Sequence, residues 1–122
     1  MPRPPLRFED KYSLSKRKRD ARRVLQKFPT RIPVIVQAGK GVSDLPPVYK
    51  SKYLVPVDLK MGQFIAVIRS KLMLRPQQAL FVMTKKKGVM PPTGALMITV
   101  YHENLEEDFF LYLDLYTENT FG

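Results

Sequence analysis

The sequence predicts an α+β domain, a four-stranded mixed sheet with helices on both faces. Three observations lead there. The hydrophobic period changes within one stretch. Tyr53-Leu54-Val55-Pro56-Val57 is a short β-branched and aromatic run, whereas Phe64, Ile65, Val67, Ile68 and Leu72 recur at helical steps among the polar Gln63, Arg69, Ser70 and Lys71. Val34-Ile35-Val36 is apolar at every position, as in a strand with no wet face. Strand and helix patterns also alternate irregularly, which fits α+β better than repeated βαβ units.

Taken in order, residues 1–6 contain Pro2, Pro4 and Pro5 and read as a mobile or extended lead-in. A short helical turn follows at Arg7–Lys11. Ser13 or Ser15 can N-cap a helix running to about Phe28, where Pro29 breaks it. Its apolar stripe (Ala21, Val24, Leu25, Phe28) is narrow and its other faces are basic. Arg31–Gln37 is a strand, and residues 38–49, with Gly39, Gly41, Pro46 and Pro47, are a surface loop. In the strand Tyr53–Val57, Pro56 has no N–H for a ladder, so this strand belongs at a sheet edge. The core helix from Met61 is stopped by Arg75-Pro76. Ala79–Thr84 is a strand, Lys85–Gly88 an exposed turn, Gly94–Glu103 a short helix buried through Leu96, Met97 and Val100, and Phe109–Tyr116 the last strand. In that strand Leu111, Leu113 and Leu115 point one way, and Phe110, Tyr112 and Tyr116 the other. A hairpin, a crossing helix and two further strands make a β-grasp arrangement. The core and late helices then cover one face and the amino-terminal helix the other. An edge strand beside an apolar helix is a geometry that accepts an extended peptide, and it is equally an ordinary strand-to-helix connection.

At 122 residues and 44% hydrophobic content the chain is long enough for one folded core. No apolar run reaches the ~20 residues of a membrane-spanning helix, and no secretory h-region is visible. The absence of cysteine excludes disulfides, thiolate metal sites and a cysteine nucleophile. Net charge is +10, with Arg3 to Arg31 crowded with cations and the acidic Glu103, Glu106, Glu107, Asp108, Asp114 and Glu118 near the other end. Such a field suits anionic partners, or is simply a solvated helix face. A nucleic-acid or polyanion module is one reading, but no glycine-rich RNA-binding signature accompanies the charge. Catalysis has little support. His102 is the only histidine and reads as a surface helix residue, Glu106-Glu107-Asp108 reads as a solvated turn, and no metal-ligand spacing appears.

An ordered series of motifs carries a resemblance. It comprises Arg31-Ile32-Pro33-Val34-Ile35, Lys52-Tyr53-Leu54-Val55-Pro56 with Gly62-Gln63-Phe64, and Met73-Leu74. Pro91-Pro92-Thr93 with Ala95-Leu96-Met97, Phe110-Leu111-Tyr112, and Glu118-Asn119-Thr120-Phe121-Gly122 complete it. From about Phe8 to Gly122 the chain resembles the autophagy-related ubiquitin-like modifiers of the GABARAP and microtubule-associated protein light chain type. The resemblance implies a ubiquitin-like β-grasp domain at 31–116. It adds an amino-terminal helical subdomain at 1–30, with two extra helices on the opposite face of the sheet, and a flexible conjugation tail at 117–122.

It further implies a modifier, not an enzyme, joined through Gly122 to phosphatidylethanolamine by activating and conjugating enzymes. A processing protease acts first where the glycine is not already terminal, and Phe121 and Arg69 match processing and recognition positions. Glycine suits such a carboxyl because it has no Cβ to obstruct a narrow site. Implied localisation is cytoplasmic, and on the autophagosome membrane once lipidated. The family also binds receptors carrying aromatic-x-x-aliphatic motifs as an added strand beside Lys52–Val55. Positions matching the aromatic pocket are Asp20, Val24, Pro33, Ile35, Lys52, Leu54 and Phe110. Those matching the aliphatic pocket are Tyr53, Val55, Pro56, Leu59, Phe64, Val67 and Ile68. Arg31 and Lys50, with Lys52 and Arg69, form a basic rim for acidic flanks, and Ile35, Val67 and Ile68 are expected to be partly plain core. Phe81, Val82 and Met83 match a second docking strand. The basic amino-terminal helix matches a surface for tubulin or anionic membrane. No cofactor is implied. Departures from the family pattern are Lys60 at a helix-capping position, which costs the core helix ~1 kcal/mol, Phe109 in place of a frequent glycine beside the aromatic pocket, and longer turns at 38–49 and Lys85–Met90. Attachment to a protein lysine instead of a lipid is the alternative within the same fold.

Overall fold

The computed structural model describes residues 6–42, 44–46, 48 and 50–118. Along the chain run α1 (Phe8–Lys11), α2 (Leu14–Lys27), β1 (Arg31–Ala38), β2 (Lys52–Pro56), α3 (Met61–Leu72), β3 (Leu80–Thr84), α4 (Met97–Asn104) and β4 (Leu111–Thr117). The strands join in the order β2-β1-β4-β3, with β1 and β4 parallel and both outer pairs antiparallel. This is the expected mixed sheet, with β2 and β3 at its edges. Pro33 fits within β1 because pairing with β4 begins only at Val34.

Both faces are covered, for different reasons. On one side Ile32, Val34, Val36, Leu111, Leu113 and Leu115 pack against α3 through Met61, Phe64, Ile68 and Leu72, and against α4 through Met97, Val100 and Tyr101. On the other side the apolar contact is thin: Ala21 of α2 meets Ile35, Phe110 and Tyr112, with Phe8 and Phe109 alongside. Polar bonds supplement this seam. Arg17 reaches Asp108 at 2.7 Å, Arg7 reaches Asp114 at 2.9 Å and Ala38 O at 2.7 Å, and Glu9 accepts from Arg7 and Gln37.

Element ends are set partly by local caps and partly by tertiary contacts. Ser13 is the N-cap of α2, its Oγ accepting from Lys16 N–H at 3.2 Å. The core helix stops at Leu72, ahead of Arg75-Pro76, because Met73 turns left-handed at φ 54° and its N–H bonds Arg69 O and Ser70 O. The missing side-chain cap expected at Lys60 is made good by the main chain. Met61 N–H donates to Ala95 O at 2.8 Å and Gly62 N–H to Thr93 O at 2.9 Å, while Gln63 Oε1 accepts from Lys60 N–H. Gly62 permits this approach, since a Cβ there would lie 3.2 Å from Thr93.

The late helix begins at Met97, later than Gly94, because residues 92–96 turn to supply those carbonyls. Leu96 is consequently exposed, and Tyr101 and Asn104 are buried beside Met97 and Val100. The last strand begins at Leu111, because Phe109 takes φ 70° and breaks the extended run. Thr117, expected as the first residue of the tail, belongs to β4, and residues 119–122 lie outside the described residues. The carboxylate run also differs from a solvated turn: Glu107 is exposed but Asp108 is buried and ion-paired.

Candidate functional site

β2 is the edge strand that the sequence expected, and its alternation builds two sites back to back. Lys52 and Leu54 lie on the α2 side, with Ile35 and Phe110, and Tyr53 and Val55 on the α3 side, with Phe64. The ladder alternates too. Val36 N–H donates to Ser51 O at 2.7 Å, so residues 51, 53 and 55 present their main chain to β1. Lys52 and Leu54 therefore present theirs to solvent, and one of those acceptors, Leu54 O, is held by the Arg31 guanidinium at 3.0 Å.

On the α2 side, Asp20 and Val24 are one helical turn apart on one flank of the helix, and Asp20 lines the same cleft as Lys52. Ile35 and Phe110 have no accessible surface and form the floor. The Lys52 ammonium lies 5.8 Å over the Phe110 ring and closes the site from above. Pro33 is buried and Leu54 half-buried. On the α3 side, Tyr53 and Phe64 meet edge to face at 5.4 Å, and the Lys50 ammonium sits 4.8 Å over Tyr53. Burial also raises the Tyr53 phenol above its ordinary pKa. Val55, Phe64 and Ile68 are almost fully buried, whereas Val67 is 40% exposed and Leu59 half-buried. Val67, expected as core, thus faces solvent, while Ile35 and Ile68 are core. Pro56 falls on the Leu54 face by alternation, away from Tyr53 and Val55.

Beyond Tyr53 a small cavity of about 80 Å³ opens between Ile68, Leu72, Val36 and Val48, with Lys50 and Lys71 on its lining. A larger cleft of about 970 Å³ runs from Lys52 and Asp20 along α1 to the 39–48 loop. Nothing in the linear pattern marks this cleft, because its banks come from two separate segments, Leu6 to Asp20 and Val36 to Lys52.

Other sequence-expected positions stand elsewhere. Arg69 donates to Gln78 O at 2.9 Å and Arg75 O at 3.2 Å, so its guanidinium fastens the connection after α3. In β3, Val82 faces the core, and Phe81 and Met83 are half-buried on the opposite face. Phe109 packs against the Ile35 and Phe110 cluster from the Arg22 side. Its ring lies under the Arg22 guanidinium at 5.1 Å, on the flank of α2 opposite Asp20 and Val24. Its left-handed backbone is held by Phe109 N–H to Glu106 O at 2.9 Å and by Tyr101 O–H to Phe109 O at 2.6 Å. Gly122 and Phe121 lie outside the described residues, as does the lead-in at 1–5.

The arrangement offers apolar sites on both faces of β2. Among the described residues, no cluster of three or more His, Cys, Asp or Glu side chains could hold a metal ion, and no helix is long and apolar enough to cross a membrane. The strongly shifted titrating groups serve the fold. Burial and the bond to Asp108 push the Tyr112 phenol well up, and burial holds Tyr101 at about 12. Burial raises Asp114, with Arg7 opposing it.

Comparison with known proteins agrees with this architecture. The family model described as "Autophagy protein Atg8 ubiquitin like" matches residues 16–122. Autophagy-related protein 8d of Arabidopsis thaliana is 44% identical over 115 residues, covering 94% of this chain and 93% of that protein. Autophagy-related protein 8 of Schizosaccharomyces pombe is 46% identical over 115 residues, covering 94% of this chain and 93% of its own. The crystal structure of Trypanosoma brucei ATG8 superposes with a TM-score of 0.84 at 32% identity, covering 94% of this chain and 97% of that one. With its ubiquitin-like sheet and its paired amino-terminal helices, the chain belongs to the Atg8 family of autophagy proteins.

Proposed function

We propose that this protein is a ubiquitin-like modifier of autophagy, attached through Gly122 to phosphatidylethanolamine, and that it receives aromatic-x-x-aliphatic segments along β2. The observation that carries the second half is the outward main chain of Lys52 and Leu54, set between an α2-side and an α3-side apolar site. A guest strand would gain register from main-chain bonds, and its alternate side chains would fall to opposite faces. The aromatic anchor displaces the Lys52 side chain from Phe110, and the aliphatic anchor lies against Val67 and Tyr53. Arg31 gives up Leu54 O to a guest N–H and turns to the peptide's acidic flank, while Lys50 and Lys52 speed encounter.

Family membership supports the first half. The Gly122 carboxylate is activated by ATP as an acyl adenylate with loss of pyrophosphate. An enzyme cysteine displaces AMP to give a thioester, which passes to a second cysteine. The phosphatidylethanolamine amine then attacks the carbonyl, and the thiolate leaves. This chain has no cysteine, so both thioesters belong to partner enzymes. It follows that the protein acts as a substrate and adaptor in cytoplasm and on autophagosome membrane, with receptors, the two conjugating activities and a processing protease as partners. Incubation with activating and conjugating enzymes, ATP and phosphatidylethanolamine vesicles gives a lipid-linked product that is lost in Gly122→Ala. No product, or a product undiminished in the variant, would overturn this assignment, and mass spectrometry of the adduct separates lipid from protein lysine.

A further inference from the structure

Met73 is the most exposed large hydrophobic residue among those described, at 87%, and it occupies a left-handed position at φ 54°. Glycine or asparagine is the usual residue there, because a Cβ is unfavourable in that conformation. Neither hydrophobic burial nor backbone preference accounts for a methionine at this point. Leu74, the next residue, packs into the core and so fixes the direction in which the corner projects. Lys71 and Arg75, both exposed, stand two residues to either side.

The topology says what this corner faces. From Met73 the chain runs through a connection tied down by Arg69 to Leu80, whose register partner is Thr117. Met73 therefore lies at the end of the sheet where β4 ends at Thr117. Lys40, just after β1, is exposed at the same end. The acidic groups of this end are Asp44, bonded to the Thr117 hydroxyl at 2.8 Å, the exposed Glu118 and, on the α1 side, the ion-paired Glu9 and Asp114 and the exposed Asp10. The five residues after Thr117 span at most about 18 Å. A bilayer holding residue 122 is thus within reach of this corner.

We propose that Met73, flanked by Lys71 and Arg75, docks on an anionic phospholipid surface and orients the body on the membrane to which its tail is attached. The proposal rests on the lipid linkage argued above. An unbranched apolar side chain can enter the boundary between headgroups and acyl chains, while flanking cations bind the anionic headgroups. Either contact alone is weak, but the tail holds the corner at high effective concentration. The Lys85–Lys87 turn lies at the other end of β3 and stays in water in this orientation.

The chain has no cysteine, so Met73→Cys and, separately, Lys87→Cys each accept a single environment-sensitive fluorophore. Each full-length protein, extended after Gly122 by a hexahistidine sequence, is captured on vesicles of phosphatidylcholine, phosphatidylserine and a nickel-chelating lipid. Emission at position 73 is expected to rise about threefold and shift to the blue, and position 87 to keep its solution spectrum. Replacing Lys71 and Arg75 by Glu should abolish the rise. An unchanged spectrum at 73, or a rise at 87 equal to or above it, overturns the proposal. Capture by the tag needs no conjugating enzyme, so a failed lipidation assay sinks the functional assignment separately from this orientation.

Discussion

Arg17 donates to the carboxylate of Asp108 at 2.7 Å, and that side chain has no exposed surface. The same carboxylate accepts from the Tyr112 hydroxyl and from Phe110 N–H at 3.0 Å. One buried anion thus joins α2 to β4 where the apolar seam is only Ala21 deep. A buried ion pair adds modest net stability, but removing one partner leaves the other charge unsolvated. Asp108→Ala is therefore expected to cost roughly 3–5 kcal/mol in urea unfolding. A loss under about 1 kcal/mol would show that α2 is held by something else.

Acid should loosen α1. Burial alone would raise Glu9, but bonds from Gln37 and Arg7 outweigh it and bring the carboxyl to about 2 from 4.5. A depressed folded pKa contributes stability present above the unfolded value and lost as pH falls through the folded one. The loss from Glu9 is thus confined between about 4.5 and 2. Asp114, raised by burial, acts in the opposite sense, stabilising as it protonates. Protection of the Phe8 and Glu9 amides, their exchange relative to the unfolded chain at the same pH, should fall across that window, and Glu9→Gln should flatten the response while costing about 1.5–3 kcal/mol at neutral pH.

The two left-handed side chains should respond oppositely to glycine. Met73→Gly loses almost no packing and removes an unfavourable Cβ, for a gain of up to ~1 kcal/mol. Phe109→Gly also relaxes the backbone but gives up a half-buried ring and its Arg22 partner. It is expected to destabilise by about 1 kcal/mol. Thermal unfolding of the two variants checks the signs, and a shared sign contradicts the account.

Gly39 is a packing requirement. A Cβ there would fall 2.3 Å from the Tyr116 ring. Gly39→Ala should lower stability by about 1–3 kcal/mol. Tyr116→Ala in the same chain should restore part of the loss, which a double-mutant cycle would read.

Peptide binding should separate into anchors and rim. With an acidic aromatic-x-x-aliphatic peptide, Val67→Asp is expected to weaken binding by at least about tenfold at all salt concentrations. Lys50→Glu should act mainly through the association rate and fade as salt rises. Calorimetry and stopped-flow titration distinguish the two, and an identical salt dependence would contradict this division.

Much of the fold was legible because it rests on local periodicity. The switch at 52–72, the two-sided apolar strand Val34-Ile35-Val36 and the alternation of Leu111 to Leu115 each state which face is buried, and the structure buries those faces. Edge placement of β2 followed from Pro56, since a missing N–H is a property of one residue. The two-sided character of the site was legible for the same reason: Lys52 and Leu54 must oppose Tyr53 and Val55 in any extended strand.

Distant partners decided the rest. Nothing near Met61 announces that the carbonyls of Thr93 and Ala95 will cap its helix, so Lys60 looked like a loss. Asp108 resembles its exposed neighbour Glu107 until Arg17, ninety-one residues earlier, is folded against it. Val67 and Ile68 are both apolar and adjacent, and the face of α3 that packs on the sheet, through Met61, Phe64, Ile68 and Leu72, leaves one outside and buries the other. The sequence by itself determined which segments are strands and helices and which of their faces are apolar, because side-chain period and backbone preference are local. Only the tertiary structure decided which charges are buried, how helix ends are satisfied and which apolar side chains stay in water, because those depend on atoms brought together from opposite ends of the chain.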